Sequence, residues 1–277
     1  MTAGWVAGTL RARAMARRAL GAEVARQLAG SPSLSAAQRM LEATPFHSVA
    51  EPGLSLATAQ HAVAETILWE LRVLAGWLPR DGVSMLRLLA GWFEIANVDQ
   101  LLQGLAGRRT CAEFELGALA TAWPRLSDAG SLAELRHVLA ASVWGDPGGD
   151  TNRDIRAGLR ARWAARLTAS ADPLRTWASA AAAIASLAIP GHARQSSPNR
   201  PRPALAAAAA AEPWQAEADW WRRVERDGRA LLRSSATDSG PVLGAVVVMA
   251  ADGRRIRAAL ASAARGGGPV EAYDALV

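Results

Sequence analysis

Apolar residues recur at intervals of three and four along almost the whole 277-residue chain, and this period constrains the fold more than any other feature. The clearest stretch runs from Leu56 to Leu78 and stops at Pro79, which predicts a long amphipathic helix. The one segment with strand-like composition, VLGAVVV at 242–248, continues directly into an Arg-rich helical pattern. We therefore predict that this segment begins a helix and that the fold is all-α.

Breaks in the helical period predict how the chain is divided. We expect a first helical lobe with an N-terminal helix at 1–110 and a middle, degenerate helical lobe at 111–190. A Pro-, Arg- and Ala-rich linker at 191–213 then leads into a C-terminal helical lobe at 214–277. The linker prediction depends on IPGHARQSSPNRPRP, which proline and glycine interrupt and which has no apolar period. Serines followed three residues later by Gln or Glu predict two helix starts, at Ser35 and Ser131.

Two distant segments resemble each other and predict an internal repeat. They are MLRLLAGWFEIANVDQLL (Met85–Leu102) and LGAVVVMAADGRRIRAAL (Leu243–Leu260). Each begins with an apolar half, continues into a short polar centre and resumes with aliphatic residues. The polar residues are Glu94 and Asn97 in the first segment, and Asp252 and Arg255 in the second. We infer that the two segments are related helices.

Composition and motifs argue against several functions. A single cysteine excludes an internal disulfide framework, and no histidine pair has the spacing of a metal-binding helix. The chain has no lysine for a phosphate-binding loop, and no nucleophile motif occurs. Although the net charge is +6, basic and acidic residues are interspersed, unlike the basic patch of a typical nucleic-acid binder. We predict no catalytic, cofactor-binding or metal-binding residues, no small-molecule substrate and no nucleic-acid partner.

The segment WFEIANVDQLL at 92–102 contains the clearest polar feature on an otherwise apolar helix. At 100° per residue, four side chains fall within an arc of about 80°. They are Arg87, Glu94, Asn97 and Arg108. This set suits hydrogen bonding and ion pairing rather than acid–base catalysis, because it has one carboxylate and not two. Either the stripe faces bulk solvent, or it lines a polar groove shared with other helices or a partner.

The order of these elements resembles a known family, the central-stalk subunit of V/A-type ATPases, called C in prokaryotes and d in eukaryotes. ARAMARRALGAEVARQL (Ala12–Leu28) is similar to its Arg-rich opening helix, and LEATPF (Leu41–Phe46) to its L-x-x-T-P-Y break. WFEIANVDQLLQG resembles the family element yDvhNLktLLR, with Glu94 at the Asp and Asn97 at the Asn. PVLGAVVVMAADGRRIRAAL resembles the C-terminal element PvlaYllakE-EirNiR, with Asp252 at the Glu and Arg255 at the Asn.

The chain also departs from the family pattern. Gln103 stands at a position where the family has Arg, and Arg255 at one where it has Asn. A middle copy, TWASAAAAIASLAI (Thr176–Ile189), lacks the polar pair altogether. Together with these differences, the resemblance implies a divergent bacterial member of the family whose middle lobe has degenerated.

The resemblance implies an elongated, multi-lobed helical protein whose pseudo-repeats surround a funnel. It implies a non-catalytic subunit that links the central rotor shaft to the membrane proteolipid ring during ion transport. Its partners would be the central-rotor subunits and that ring, with peripheral contact at the cytoplasmic face of the cell membrane. The polar residues Arg87, Glu94, Asn97, Arg108, Asp252 and Arg255 would then line the funnel.

Two other functions fit an all-α chain of this composition. One is an adaptor or regulator that binds other proteins, and the other is a nucleic-acid binder that uses its arginines. Nucleic-acid affinity would fall steeply with salt, whereas the coupling subunit and the adaptor differ in the partners they bind.

Overall fold

The computed structural model describes residues 3–108, 111–188, 213–268 and 273–274. Within these ranges the regular structure is helical and no strand occurs, so the all-α prediction is confirmed. The helices are α1 Ala3–Ala16, α2 Gly21–Ala29, α3 Leu34–Met40, α4 Leu56–Ala75, α5 Arg80–Leu105, α6 Trp123–Leu126, α7 Leu132–Ala140, α8 Asn152–Thr168, α9 Leu174–Ala188, α10 Pro213–Arg233 and α11 Ser239–Ala263. Short 3-10 turns lie at His47–Ala50 and Gly117–Leu119.

Short hydroxyl side chains begin several helices by accepting a free backbone N–H group. Ser131 accepts a hydrogen bond from the N–H of Glu134, which confirms the predicted start of α7. The predicted start at Ser35 is wrong, because Ser33 caps α3 and accepts from the N–H of Ala36. Both serines lie in the segment SPSLSAAQ, and the spacing of Ser35 to Gln38 does not show which of them caps the helix.

The segment VLGAVVV lies inside α11, as predicted, and α11 is the most deeply buried long helix of the described chain. It packs against α10, α1, α2 and α4. Its first turns, around Val242 and Met249, belong to a central apolar core that also contains Ala12 of α1 and Leu86 of α5. Its later turns, around Leu260, belong to a second core built with α2, α3 and α4.

These cores cross the boundaries predicted from sequence. The second core combines residues from 25 to 63 with residues from 256 to 273, so the two ends of the chain are packed together. A third core joins α8, α9, α10 and α11 around Trp177 and Leu243. The division at 110, 190 and 213 therefore does not coincide with the division of apolar packing. Most of the predicted linker at 191–213 lies outside the described residues.

Arg13 fixes α1 to the turn between α10 and α11. Its guanidinium donates to the backbone carbonyls of Leu232, Ser234 and Ala236, at 3.2, 2.5 and 3.2 Å. The last carbonyls of a helix have no partner within the helix, and a cationic side chain near the C-terminus satisfies them. One side chain of α1 thus ties the α10–α11 turn to the opposite end of the chain.

The helix pairs α4–α5 and α10–α11 have matching boundaries. Leu56–Ala75 and Arg80–Leu105 correspond to Pro213–Arg233 and Ser239–Ala263 when every bound is shifted by 157 to 159 residues. The same shift aligns the two sequence segments predicted to be related. The helix lengths and the connecting turns therefore agree with the predicted repeat.

None of the helices within the described ranges is long and apolar enough to cross a membrane.

Candidate functional site

The polar stripe of α5 is covered by the segment at 111–122. Both oxygens of the Glu94 carboxylate accept backbone hydrogen bonds from it: from the N–H of Thr121 at 2.6 Å and from that of Ala122 at 2.8 Å. Ala122 is the N-cap residue of α6. Glu94 is only 1% exposed. The carboxylate therefore anchors the start of a neighbouring helix instead of facing a solvent-filled groove.

Asn97 and Arg87 hold the same covering segment at two further points. The Asn97 side chain donates to the carbonyl of Phe114 at 2.9 Å and accepts from the N–H of the same residue at 2.7 Å. Arg87, which is half-buried, donates to the carbonyl of Ala118 through two nitrogens, at 3.0 and 3.3 Å. Three side chains of α5 thus hold the same segment at three different points.

Arg108 does not belong to this group, although the helical wheel placed it there. Helix α5 ends at Leu105, and Gly107 turns the chain with a φ of 70°, a conformation that residues with a Cβ rarely adopt. The Arg108 side chain is exposed beyond this turn. The prediction that it extends the stripe is wrong because the helical period stops before it.

Trp144 completes the environment of Glu94. Its indole N–H donates to Glu94 Oε1 at 2.6 Å, and the tryptophan is 1% exposed. Glu94 thus accepts three hydrogen bonds in a site closed to water, and each donor is itself buried or part-buried. The sequence analysis did not identify Trp144 as a partner.

Asp252 on α11 holds the start of α2 in the way that Glu94 on α5 holds the start of α6. We call each of these carboxylates, with the two backbone N–H groups that it accepts, a joint. Its two oxygens accept from the N–H groups of Leu20 and Gly21, both at 2.8 Å, at the start of α2. A carboxylate at this position is also favoured by the positive end of the α2 dipole. Burial raises the pKa of Asp252, although the two N–H groups act in the opposite direction. Each member of the predicted repeat therefore holds two consecutive amides that lead into another helix.

Each carboxylate holds the first of two consecutive helices, α2 before α3 and α6 before α7. The chain turns through a similar corner after α3 and after α7. After α3, Thr44 donates to the carbonyl of Leu41 at 2.7 Å and accepts from the N–H of Phe46 at 3.2 Å. After α7, Ser142 does the same with Leu139 and Trp144, at 2.8 and 3.1 Å. Both aromatic rings are buried. The sequence signal for this match is S-L-x6-L-x2-(T/S)-x-(F/W), which begins at Ser33 and at Ser131.

Arg255 lies one turn beyond Asp252 and pairs with Glu225 of α10. Both guanidinium Nη atoms contact the two carboxylate oxygens, and Arg229 adds two bonds to Oε1 at 2.7 and 3.1 Å. Burial by itself raises the pKa of Glu225, but the hydrogen bonds and charges of Arg255 and Arg229 outweigh it and leave that pKa below its usual value. This ion-pair cluster joins α10 to α11.

The predicted site residues therefore form two groups that contact different parts of the chain. Arg87, Glu94 and Asn97 hold the 111–122 segment, whereas Asp252 and Arg255 hold α2 and α10. Glu94, Asn97 and Asp252 are 1%, 0% and 2% exposed. The prediction that these three line an open funnel is corrected, because their side chains are buried and hold other parts of the chain. Chemically, the arrangement braces helices against one another.

Among the described residues, no group of three or more His, Cys, Asp and Glu side chains is placed to hold a metal ion. Comparison with models of protein families and with curated protein sequences found no match to this chain.

Proposed function

We propose that this chain is a non-catalytic coupling subunit of a rotary V/A-type ATPase, linking the central rotor shaft to the membrane proteolipid ring. The observation that carries the proposal is the pair of equivalent joints, Glu94 on α5 and Asp252 on α11. Each occupies the acidic position of a sequence element that resembles the central-stalk family. Each also binds two consecutive backbone N–H groups at the start of another helix.

The joints suit a part that transmits torque. A subunit between a turning shaft and a ring must resist deformation, since a compliant part would absorb the energy of each step. Buried hydrogen-bonded carboxylates fix the angle between helices more firmly than exposed ion pairs do. The contacts of Arg13 and of Arg255 add two further ties between distant parts of the chain. This interlocking supports a mechanical role over a catalytic one.

The funnel arrangement and the location at the cytoplasmic face of the cell membrane belong to the same proposal. Glu94, Asn97 and Asp252 are buried and therefore do not form the funnel wall. The shaft and ring would instead be contacted by surface residues. Arg108 and the exposed tryptophans Trp69, Trp77, Trp92 and Trp214 are candidates, since these tryptophans are 43–51% exposed.

The test is co-purification from detergent-solubilised membranes of cells that express the tagged chain from its own locus. We expect the catalytic subunits, the rotor subunits and the proteolipid of a rotary ATPase to elute with it. The control is the same tag on an unrelated helical protein. Recovery of the chain only from the soluble fraction, with no ATPase subunit attached, would overturn the proposal.

The second candidate is an adaptor that binds other proteins, and the same exposed tryptophans favour it. Tryptophan is enriched at protein–protein contacts and is costly to leave in water. The co-purification separates the two candidates, because an adaptor would elute with partners that are not ATPase subunits.

A further inference from the structure

A small cavity lies between α1, the corner after α3, α4 and α11. Its volume is about 20 Å³, which is room for one water-sized molecule. Met15, Phe46 and Met249 form apolar walls, and the polar residues of the lining are Arg18, Thr66, Glu70 and Asp252. A cavity of this size binds a small polar molecule only where two or more polar groups converge on it. The two carboxylates meet that condition.

Glu70 has an acceptor that the protein leaves unused. The residue is 6% exposed, and its Oε1 is paired with Arg18. Its Oε2 is buried and has no hydrogen-bond partner within the described structure. A buried carboxylate oxygen without a donor is destabilising, and a buried polar atom that no protein group satisfies is commonly paired with an ordered water or ion.

Asp252 also lacks a donor that its counterpart has. Glu94 accepts two backbone N–H groups and the indole N–H of Trp144. Asp252 accepts two backbone N–H groups from Leu20 and Gly21. The corner residue equivalent to Trp144 is Phe46, whose side chain has no N–H or O–H to donate and which lines the cavity together with Asp252. The cavity thus lies where the other joint has its third donor.

We propose that the cavity binds one water-sized molecule that donates hydrogen bonds to both Glu70 and Asp252, in place of the indole nitrogen found in the other joint. Two molecules share this chemistry: water, which has two donor hydrogens, and the ammonium ion, which has four. In either case the bound molecule connects α4 to α11, and the joint at Asp252 is completed by a ligand where the joint at Glu94 is completed by a side chain.

A high-resolution crystal structure tests the site directly. We expect a density peak within about 2.7–3.2 Å of Glu70 Oε2 and of one Asp252 oxygen. A direct contact between the two carboxyl groups with no peak between them would overturn the proposal.

Variants at Phe46 test whether the ligand replaces a side-chain donor. Phe46→Trp and Phe46→Tyr should remove the peak, because each brings its own donor into the cavity. Phe46→Leu is the matched control: it should keep the peak while lowering the unfolding temperature by roughly 2–4 °C. If the peak persists in a folded Trp or Tyr variant whose new donor points at Asp252, the ligand does not take the place of a side-chain donor and the proposal is wrong.

Salt identity then distinguishes the two ligands. Thermal unfolding is compared in ammonium chloride and in tetramethylammonium chloride at equal concentration, since the larger ion cannot enter the cavity and has no N–H group. An ammonium-specific rise that disappears in Phe46→Trp identifies ammonium as the ligand. Equal unfolding temperatures together with the density peak identify water. A rise that survives in Phe46→Trp would show that ammonium acts elsewhere and would overturn ammonium as the ligand of this cavity.

Discussion

Trp144 donates its indole hydrogen to Glu94 across 50 residues of sequence, at 2.6 Å and out of contact with solvent. This bond joins the corner after α7 to the middle of α5. Together with the amides of Thr121 and Ala122, it makes Glu94 the acceptor of three buried hydrogen bonds.

Glu94→Gln should therefore destabilise the protein by roughly 2–4 kcal/mol. The substitution keeps the shape of the side chain but turns one acceptor oxygen into an NH₂ group that faces another donor. Urea unfolding followed by circular dichroism measures the loss. Glu115→Gln is the control: its side chain is 87% exposed, so a change within about 0.5 kcal/mol is expected. Equal effects of the two substitutions would contradict the bracing role.

Asn97→Ala should loosen the 111–122 segment more than the rest of the fold. The substitution leaves the N–H and the carbonyl of Phe114 without partners in a buried position, at a cost of about 2–4 kcal/mol. Hydrogen exchange should accelerate first at the Phe114 amide. Gln103→Ala, which removes one 3.3 Å bond to the carbonyl of Asp99 on the same helix, provides the comparison. Unchanged protection of Phe114 in Asn97→Ala would show that the segment is held by other contacts.

Gly244→Ala should weaken the packing of α10 on α11. A Cβ at this position would lie 2.4 Å from the carbonyl oxygen of Gly228, so the helices would have to separate. We expect a loss of roughly 1–3 kcal/mol. Gly104→Ala in α5 is the opposite case, since a Cβ there meets nothing within 4 Å. It should stabilise the helix by up to about 1 kcal/mol, and unfolding curves of the two variants should move in opposite directions.

The Glu225 cluster should make stability sensitive to acid. The pKa of Glu225 is lower in the folded protein than the ordinary value of 4.5 for a glutamate side chain, because Arg255 and Arg229 stabilise its charged form. Its contribution is therefore present above that value and is lost as the pH falls through the folded-state pKa. The free energies of unfolding of wild type and Glu225→Gln should differ at pH 7 and converge below about pH 4.5. A difference that stays constant to pH 3 would mean that the charge of Glu225 is not what Arg255 and Arg229 stabilise.

Tyr273 offers a direct spectroscopic test of how the two ends of the chain are packed. It is the one tyrosine of the sequence, it is 4% exposed, and its hydroxyl donates to the carbonyl of Arg255 at 3.2 Å. Burial raises its pKa to about 12. Phenolate absorbance should therefore appear near pH 12 in the native protein and near pH 10 in concentrated urea. Because the folded-state pKa is raised, this group's contribution to stability is lost as the pH rises through that value. Native titration near pH 10 would place Tyr273 in solvent.

Helices α4, α5 and α11 show which parts of the fold could be predicted from sequence. The helical period correctly predicted α4 and the helical state of VLGAVVV, because apolar spacing is a local property. The period also placed Glu94 and Asn97 on one face of α5. Their burial could not be predicted, since it depends on a segment that begins some 14 residues later and folds back over that face.

Other errors have separate causes. The helical wheel places Arg108 in the stripe because a wheel does not detect that α5 ends at Leu105, before the turn at Gly107. Trp144 and Phe46 were missed because their match is visible only when the segments that start at Ser33 and Ser131 are compared directly. The ion pair of Arg255 with Glu225 joins residues 30 positions apart on two different helices, and no spacing rule predicts such a contact.

The placement of α11 has a consequence for biosynthesis. The second core needs α2, α3 and α4 together with α11, which the ribosome makes much later. About 190 residues separate the end of α4 from the end of α11, which corresponds to roughly 10–40 s of translation. During that interval the apolar faces of the early helices lack their main partner. Because exposed apolar faces promote aggregation, we expect chains truncated before α11 to aggregate more readily than the full chain.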